Sequence, residues 1–314
     1  MFGRSRCVRS SIPNRTVDGQ TVVAAFLYPD SMPELPEVET IARGLDKRVT
    51  GDEIDSVWIG SRKQPLKSTA TEIAATLEGK KIVRVHRAGK HIVFDLEKGA
   101  ARRKARRAAS LSQQNEHAQW IVHLGMTGRM LVCEPAAEIA KHTHLIAKLA
   151  SGRELRFVDP RMFGKLSVHA SGFDPGGVEP LEVGEEEFLG LFRGRKTPIK
   201  SALLNQKLLR GVGNIYADES LFRAGIRPRR RANSLTRADL RRLYGAVQEV
   251  LREAIAVGGS SVSDYVNADG EEGLFQLQHR VYGREGEPCL KCRTPVKRVV
   301  LVGRSSHYCP TCQK

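Results

Sequence analysis

The sequence of 314 residues contains no apolar run that approaches the roughly 20 residues of a membrane-spanning helix. A helical membrane-spanning protein is therefore excluded. The apolar run Thr21–Tyr28 is short and has the wrong flanking residues for a signal peptide, so we expect a cytoplasmic protein. Wholesale disorder is excluded as well, because 40% of the residues are hydrophobic and 27% are charged. The length predicts two compact domains.

Acidic residues are scarce relative to basic ones: 35 Asp and Glu stand against 51 Lys and Arg, for a net charge of +16. Such an excess suits a solvated basic surface, an anionic membrane surface or a nucleic acid. Three segments in the C-terminal half, 191–210, 223–242 and 280–314, hold six, eight and eight basic residues and only three acidic residues in all. Because a solvated helix face more often mixes both signs, we favour contacts with the phosphates of a nucleic acid.

Cysteine is also rare, but four of the six cysteines form the motif C-x2-C-x16-C-x2-C at the end of the chain: Cys289, Cys292, Cys309 and Cys312. Each C-x2-C pair can place two thiolates on one knuckle, and two knuckles complete a tetrahedral zinc shell. Two disulfides are the alternative, but the rest of the chain has the character of an intracellular protein. Four thiolates leave no open position, so we predict one Zn²⁺ with a structural role.

The order of apolar patterns predicts a β-rich first half and a helical second half. Helical spacing from Val38 to Val49 predicts a helix that Pro36 begins and Gly51 ends. Six short and often alternating runs predict an antiparallel sandwich or barrel: Ile54–Ile59, Lys81–Val85, His91–Leu96, Trp120–Leu124, Leu145–Leu149 and Leu155–Val158. From about residue 185 to 262, leucines and valines recur at helical spacing.

Seven short motifs follow one another along residues 32–314. They are MPELPEVET (32–40), RAGK (87–90), HLGMTG (123–128), DPRMFG (159–164), TPIK (197–200), GVGNIYADE (211–219) and YCPTCQK (308–314). In this order they resemble the bacterial formamidopyrimidine-DNA glycosylases, enzymes of base excision repair that excise oxidised purines such as 8-oxoguanine. The resemblance implies an α+β fold: an N-terminal antiparallel β-sandwich with flanking helices, then a helical domain with a helix–two-turn–helix and a C-terminal zinc finger with four cysteine ligands.

With this family as a guide, the chain divides into an extension and three domains. The predicted divisions are an extension that is non-native or disordered (1–31), a catalytic β-sandwich domain (32–176) with a basic insertion containing ARRKARR (99–119), a linker (177–184), the helix–two-turn–helix domain (185–279) and the zinc finger (280–314). Residues 258–275 resemble a loop that closes on the flipped base.

The resemblance also implies a catalytic group. After removal of Met32, Pro33 would carry a free secondary amine, and a chain-terminal amine has a pKa of about 8, so part of it is neutral at physiological pH. This amine would attack the sugar C1′, form an iminium and lead to strand cleavage by β- and δ-elimination. Glu34 would donate a proton to the ring oxygen, Glu37 would help to arrange the site, and Lys90 would contact phosphate or lesion.

Six further residues are implied to bind DNA: Met126, Arg161, Phe163, Lys200, Asn214 and Arg304. By resemblance, Arg161 reads the orphaned cytosine, Phe163 enters the base stack and Met126 fills the vacated space, as a base-flipping enzyme requires. Taken alone, Met126 and Phe163 would be read as core residues. The other three would contact phosphate or, for Lys200, the lesion, and the expected partner is duplex DNA with an oxidised base.

Two other functions stay open at this point. The related endonuclease VIII family prefers oxidised pyrimidines, but the PELPE start, together with Arg161 and Phe163, favours the purine enzyme. A non-catalytic protein that binds damaged DNA is the second, because the nitrogen of Pro33 is an unreactive tertiary amide as long as residues precede it. We therefore expect translation from Met32 and removal of that methionine, which leaves about 282 residues.

The enzyme is expected to be a monomer associated with the bacterial nucleoid.

Overall fold

The computed structural model describes residues 32–99, 117–261 and 273–314. It also places two paired strands of two residues each, β1 (Thr16–Val17) and β2 (Gln20–Thr21), in the extension. The predictions about residues 1–31 and about the insertion at 99–119 fall largely outside the described residues. The predicted domain boundaries stay predictions.

Two four-stranded antiparallel sheets form the first half of the protein. Their strands are β3 (Ile54–Ile59), β4 (Lys80–Ala88), β5 (His91–Lys98), β6 (His117–His123), β7 (Arg129–Cys133), β8 (Thr143–Leu149), β9 (Glu154–Val158) and β10 (Lys165–His169). The strand orders are β10-β6-β5-β4 in one sheet and β3-β8-β9-β7 in the other. The predicted antiparallel sandwich is thus confirmed.

Helices α1 (Leu35–Val49) and α2 (Ala70–Leu77) flank the sandwich. Pro36 lies in the first turn of α1, where a missing N–H costs nothing, and the chain leaves the helix through Gly51 with φ +91°. One buried cluster joins Val38, Ile41 and Leu45 of α1 to side chains of both sheets. Burying each such side chain stabilises the fold by about 1.5–3 kcal/mol.

The apolar pattern did not predict α2, β7 or β10. Helix α2 is only eight residues long and buries two of them, Ile73 and Leu77, so its periodic signal is weak. Its start is instead fixed by a capping box in which Thr69 and Glu72 bond to each other's backbone N–H. Strands β7 and β10 bury only two and one of their five residues, so their apolar signal is weak.

The second half is helical and confirms the prediction for this part of the chain. Its elements are α3 (Glu185–Phe192), α4 (Ile199–Leu203), α5 (Asn214–Ala224), α6 (Arg237–Ala256), the 3₁₀ turns Ala232–Ser234 and Phe275–Gln278, and a terminal hairpin of β11 (Lys297–Leu301) and β12 (Arg304–Tyr308). Among the described residues, no helix has both the length and the apolar character needed to span a bilayer.

Helix α1 belongs to both halves. Leu35 packs in the helical core, whereas Val38, one turn along, packs in the sandwich core. The N–H of Leu35 donates to the carbonyl of Gly211, 3.0 Å away, just before α5. The start of α1 therefore lies where the two halves meet.

Candidate active site

A cleft of about 390 Å³ opens between the two halves at the start of α1. Among the residues that line it are Met32, Glu34, Lys90, Asn214 and Arg304. The structure thus brings together two predicted catalytic residues and two predicted DNA-binding residues that come from α1, the β4–β5 turn, α5 and β12.

Pro33 is buried beside this cleft, directly before Glu34, while Met32 is half-buried and lines it. The nitrogen of Pro33 is bonded to the carbonyl of Met32 and is therefore a planar tertiary amide in this chain. A chain that began at Pro33 would carry its amine next to the cleft.

The carboxylate of Glu34 is bound by the first turn of α5. Its two oxygens accept from the N–H groups of Ile215 and Tyr216 at 3.0 and 3.4 Å. Gly213 permits this approach, because a Cβ there would lie 2.2 Å from the Cδ of Glu34. Burial raises the pKa of Glu34 to about 7, against the opposing effect of the Lys90 ammonium. Both protonation states of Glu34 are therefore populated near neutral pH.

Glu37 lies one turn further along α1 and joins three segments of the chain. Its carboxylate accepts from the N–H of Glu34 at 2.8 Å, from the N–H of Ser260 at 2.7 Å and from the hydroxyl of Tyr216. Burial raises the pKa of Glu37. Gly259 has φ +83°, and a Cβ there would lie 2.7 Å from Oε1 of Glu37. Glu37 thus holds the N–H of Glu34, and its role in arranging the site for the reaction stays a prediction.

Lys90 follows Gly89, which has φ +59°, in the turn between β4 and β5. The side chain is half-buried, and this burial lowers its pKa while Glu34 and Glu37 raise it. The arrangement leaves an amine of reduced basicity beside a carboxyl group of reduced acidity. Such a pair suits proton transfer in a cleft.

Glu179, in the segment before α3, holds the turn that carries Lys90. The carboxylate of Glu179 is buried and accepts from the N–H of Gly89 at 2.9 Å. It also binds the guanidinium groups of Arg87 at 2.7 Å and Arg210 at 2.9 Å. Glu179 therefore fixes the position of Lys90 relative to the helical half.

Three predicted DNA-binding residues lie on turns of the sandwich. Met126 is half-buried between β6 and β7, and Arg161 and Phe163 lie exposed between β9 and β10. Phe163 is 50% exposed, and its ring centroid lies 4.9 Å from the guanidinium carbon of Arg161. An exposed aromatic ring of this kind is not a core residue, so the structure excludes that interpretation of Phe163.

These turns are held together by one buried carboxylate, that of Asp159. It accepts from the hydroxyl of Thr127 at 2.5 Å, from the N–H of Gly164 at 2.7 Å and from the N–H of Arg161 at 3.3 Å. Gly125 allows the turns to touch, because a Cβ there would lie 2.5 Å from the nitrogen of Gly164. Asp159 thus sets the backbone from which Arg161 projects.

The opposite wall of the cleft contains Asn214 and Arg304. The amide of Asn214, the first residue of α5, donates to the Oγ of Ser305 at 3.2 Å, and Arg304 is exposed at the start of β12. Lys200 does not reach this wall. It is 1% exposed, with its Nζ 2.6 Å from Asp218 and bonded to the carbonyl of Ser305 at 2.5 Å. The burial of Lys200 does not favour a direct contact with DNA, and that contact stays a prediction.

The four predicted zinc ligands lie together at the end of the chain. Their Sγ atoms are all within 4.8 Å of one another, with 3.4 Å between Cys292 and Cys309 and 3.9 Å between Cys289 and Cys312. A tetrahedral zinc site with Zn–S bonds of about 2.3 Å has S–S edges of about 3.8 Å. No disulfide joins these cysteines within the described residues. The four thiolates therefore fit one structural zinc, as predicted.

Besides Asp159, sequence reasoning missed three buried carboxylates that hold the site together. They are Glu179, Asp218 and Glu219, the last of which accepts the N–H groups of residues 280–282. The available signal was their place inside the short motifs GVEP and GVGNIYADE; Asp218 and Glu219 also interrupt a basic region. Residues 262–272 of the predicted closing loop lie outside the described residues.

Three family models match consecutive parts of this chain. They are the formamidopyrimidine-DNA glycosylase N-terminal domain over residues 32–166, the formamidopyrimidine-DNA glycosylase H2TH domain over residues 177–266 and the zinc finger found in FPG and IleRS over residues 286–314. Together these models account for both halves of the cleft and for the cysteine cluster.

Similar proteins agree with the family models. The formamidopyrimidine-DNA glycosylase of Solibacter usitatus is 44% identical over 291 residues, which cover 90% of this chain and 100% of that protein. The crystal structure of MutM (Fpg) from Thermus thermophilus is 40% identical with a TM-score of 0.75, covering 90% of this chain and 98% of that one. A Lactococcus lactis Fpg variant in complex with Fapy-dG DNA is 32% identical, with a TM-score of 0.77 and coverages of 90% and 100%. The chain therefore belongs to the formamidopyrimidine-DNA glycosylase family, the base-excision repair glycosylases for oxidised purines.

Proposed function

We propose that this chain excises oxidised purines from duplex DNA and then cuts the strand, with the amine of Pro33 as nucleophile once residues 1–32 are absent. The observation that carries the proposal is the position of Glu34: a buried carboxyl with a pKa of about 7, directly after Pro33 and lining the cleft. A carboxyl of this pKa can donate a proton at neutral pH and take one back later.

The residues of the cleft divide the reaction between them. The neutral amine of Pro33 attacks C1′ while protonated Glu34 gives its proton to the ring oxygen, so that the C1′–O4′ bond breaks. The amine nitrogen then expels the damaged base, which takes up the proton that the amine lost, and an iminium forms. The iminium acidifies the adjacent C–H, and elimination on both sides of the opened sugar cuts the strand. Lys90, whose ammonium lies near Glu34, stabilises the carboxylate that the first step leaves behind.

Residues on both walls of the cleft bind the DNA. Phe163 and Met126 enter the duplex from the sandwich side, and Arg161 meets the base opposite the lesion. Asn214 and Arg304 contact phosphate from the other side. The Lactococcus lactis variant solved with Fapy-dG DNA supports this substrate class. We place the enzyme as a monomer in the bacterial cytoplasm, associated with the nucleoid.

The start of the chain is tested by borohydride trapping on a duplex with 8-oxoguanine opposite cytosine. Three forms are compared, beginning at Met1, Met32 and Pro33, with each terminus verified by intact mass. We expect a covalent complex only from molecules that begin at Pro33. As a matched control, Pro33→Gly in the form begun at Met32 should lose most trapping and still bind the duplex. Equal trapping by a form with an intact Met1 terminus would overturn Pro33 as nucleophile.

One observation favours a second function for the full-length chain. Met32 lines the cleft and its carbonyl holds the nitrogen of Pro33 as an amide, so a molecule that keeps its extension binds damaged DNA without cutting it. Binding without trapping by the Met1 form identifies this case.

A duplex with thymine glycol tests the substrate class, and preferential trapping on it would favour oxidised pyrimidines over purines.

A further inference from the structure

Lys200 is almost fully buried behind the cleft, which is unusual for a lysine in so basic a segment. It lies on α4 with 1% of its surface exposed. Its Nζ is 2.6 Å from Oδ1 of Asp218, a residue of α5 that is 0% exposed, and it donates to the carbonyl of Ser305 at 2.5 Å. To reach a phosphate, this ammonium would have to leave both partners and strand the buried carboxylate of Asp218 without its counter-charge.

The same cluster holds strand β12 at two positions. The carbonyl of Ser305 accepts from the Nζ of Lys200 at 2.5 Å, and its hydroxyl oxygen accepts from the amide of Asn214 at 3.2 Å. Two residues further, the N–H of His307 donates to Oδ2 of Asp218 at 2.8 Å. The helical half therefore fixes β12 through its backbone, independently of the pairing between β11 and β12.

Arg304 is the residue next to Ser305 and is exposed at the cleft. It follows a tight turn in which Val302 and Gly303 both have positive φ, of 49° and 74°. An arginine at the end of such a hairpin depends on the backbone behind it for its direction. Within the described part of the chain, the side chains that hydrogen-bond to Ser305 are those of Lys200 and Asn214.

We propose that Lys200 is a positioning residue, which holds Arg304 toward the DNA through the carbonyl of Ser305 and makes no phosphate contact itself. This inference rests on the proposed function, since DNA is the ligand that Arg304 meets. On this proposal the ammonium of Lys200 acts inside the protein. It neutralises Asp218 and holds the β11–β12 hairpin, which carries the exposed guanidinium of Arg304.

The test is a double-mutant cycle of Lys200→Met and Arg304→Ala in binding to a duplex with a stable tetrahydrofuran abasic site, measured over a series of salt concentrations. We expect each single variant to bind about tenfold more weakly, and the double variant to bind no more weakly than Arg304→Ala alone. The salt slope should fall by about 0.9, the contribution of one phosphate contact, in each single variant and by no more in the double. Losses that multiply, with a further fall in the slope, would overturn the proposal.

A second variant guards against misfolding, because Lys200→Met leaves Asp218 unpaired. Lys200→Met/Asp218→Asn removes both charges and keeps an oxygen that can accept from His307. It should retain its zinc and its melting transition and still behave as Lys200→Met does in the cycle. Lys148→Met, which removes an exposed lysine of β8, is the matched control and should bind within twofold of the unchanged chain.

Hydrogen exchange decides the positioning role without DNA. Exchange of the backbone N–H groups over residues 304–308 should be faster in Lys200→Met/Asp218→Asn than in the unchanged chain, and unchanged exchange would overturn the proposal. If the unchanged chain does not prefer the abasic duplex to an undamaged one, the proposed function fails, and exchange still decides whether Lys200 holds the hairpin.

Discussion

The two walls of the cleft present their functional side chains in different ways. On the sandwich wall, Arg161 and Phe163 are exposed on a loop, and one buried carboxylate, Asp159, holds the backbone beneath them. On the helical wall, the buried pair of Lys200 and Asp218 lies behind the surface, and Arg304 is exposed at the end of a hairpin. The sandwich wall stands on two complete sheets, whereas the helical wall depends on a buried ion pair and a metal.

The difference shows where each wall is vulnerable. A loop held by hydrogen bonds to one carboxylate can change its geometry without affecting the sheets that it joins. A hairpin between two cysteine knuckles loses the support of both knuckles when the metal leaves and keeps its hydrogen bonds to Lys200, Asn214 and Asp218. Glu34 lies between the walls at the start of α1, which packs in both cores, and its carboxylate accepts from two N–H groups of α5. A Gln of the same shape keeps an oxygen for these groups, so Glu34→Gln should report on the chemistry.

Glu34→Gln should have the largest effect. Removal of a general acid typically costs between about 100-fold and 10,000-fold in rate. We expect a loss of at least about 100-fold in base excision, measured in single turnovers, while the affinity for an abasic duplex changes little because both walls remain. Glu134→Gln, an exposed carboxylate on the sandwich, is the matched control. A loss in binding as large as the loss in rate would assign Glu34 to DNA binding.

The same variant has a defined signature in the pH profile. Glu34 must be protonated to act, so its active fraction decreases as the pH rises above its pKa of about 7. The amine of Pro33 must be neutral, and its fraction decreases as the pH falls below about 8. Excision should therefore peak between these values, and Glu34→Gln should lose the alkaline limb of the profile. An alkaline limb that persists in the variant would show that another group supplies the proton.

The sequence predicted the exposed residues of both walls better than the buried pairs behind them. Motifs located Glu34, Lys90, Asn214 and Arg304, and all four line one cleft. Short apolar runs located six strands but not β7 or β10, which bury only two and one of their five residues. Nothing in the sequence indicated the burial of Lys200, because its partner Asp218 is 18 positions away and is brought to it only by the packing of α4 against α5.

Removal of zinc should weaken the helical wall selectively. Strands β11 and β12 lie between the knuckle at Cys292 and the knuckle at Cys309, so their hairpin should lose its order in a Cys309→Ser variant or after chelation. We expect binding of an abasic duplex to fall by roughly 30-fold to 100-fold, and melting of the sandwich to change little. Cys133→Ser, on β7, is the matched control for loss of a cysteine. Undiminished binding by a preparation shown to lack zinc would contradict the dependence of this wall on the metal.

Asp159→Asn should have the smallest effect and should act on the sandwich wall alone. Asn keeps one acceptor oxygen but replaces the other with a donor, which meets the N–H of Gly164 or that of Arg161. Leaving one such group unsatisfied costs about 1–3 kcal/mol. Because the loop can shift locally, we expect that cost to appear as a roughly fivefold to tenfold loss of preference for cytosine opposite the lesion. Excision rates opposite each of the four bases measure this preference, with exposed Asp55→Asn as the matched control. An equal loss opposite all four bases would mean that Asp159 supports the wall as a whole and does not set the direction of Arg161.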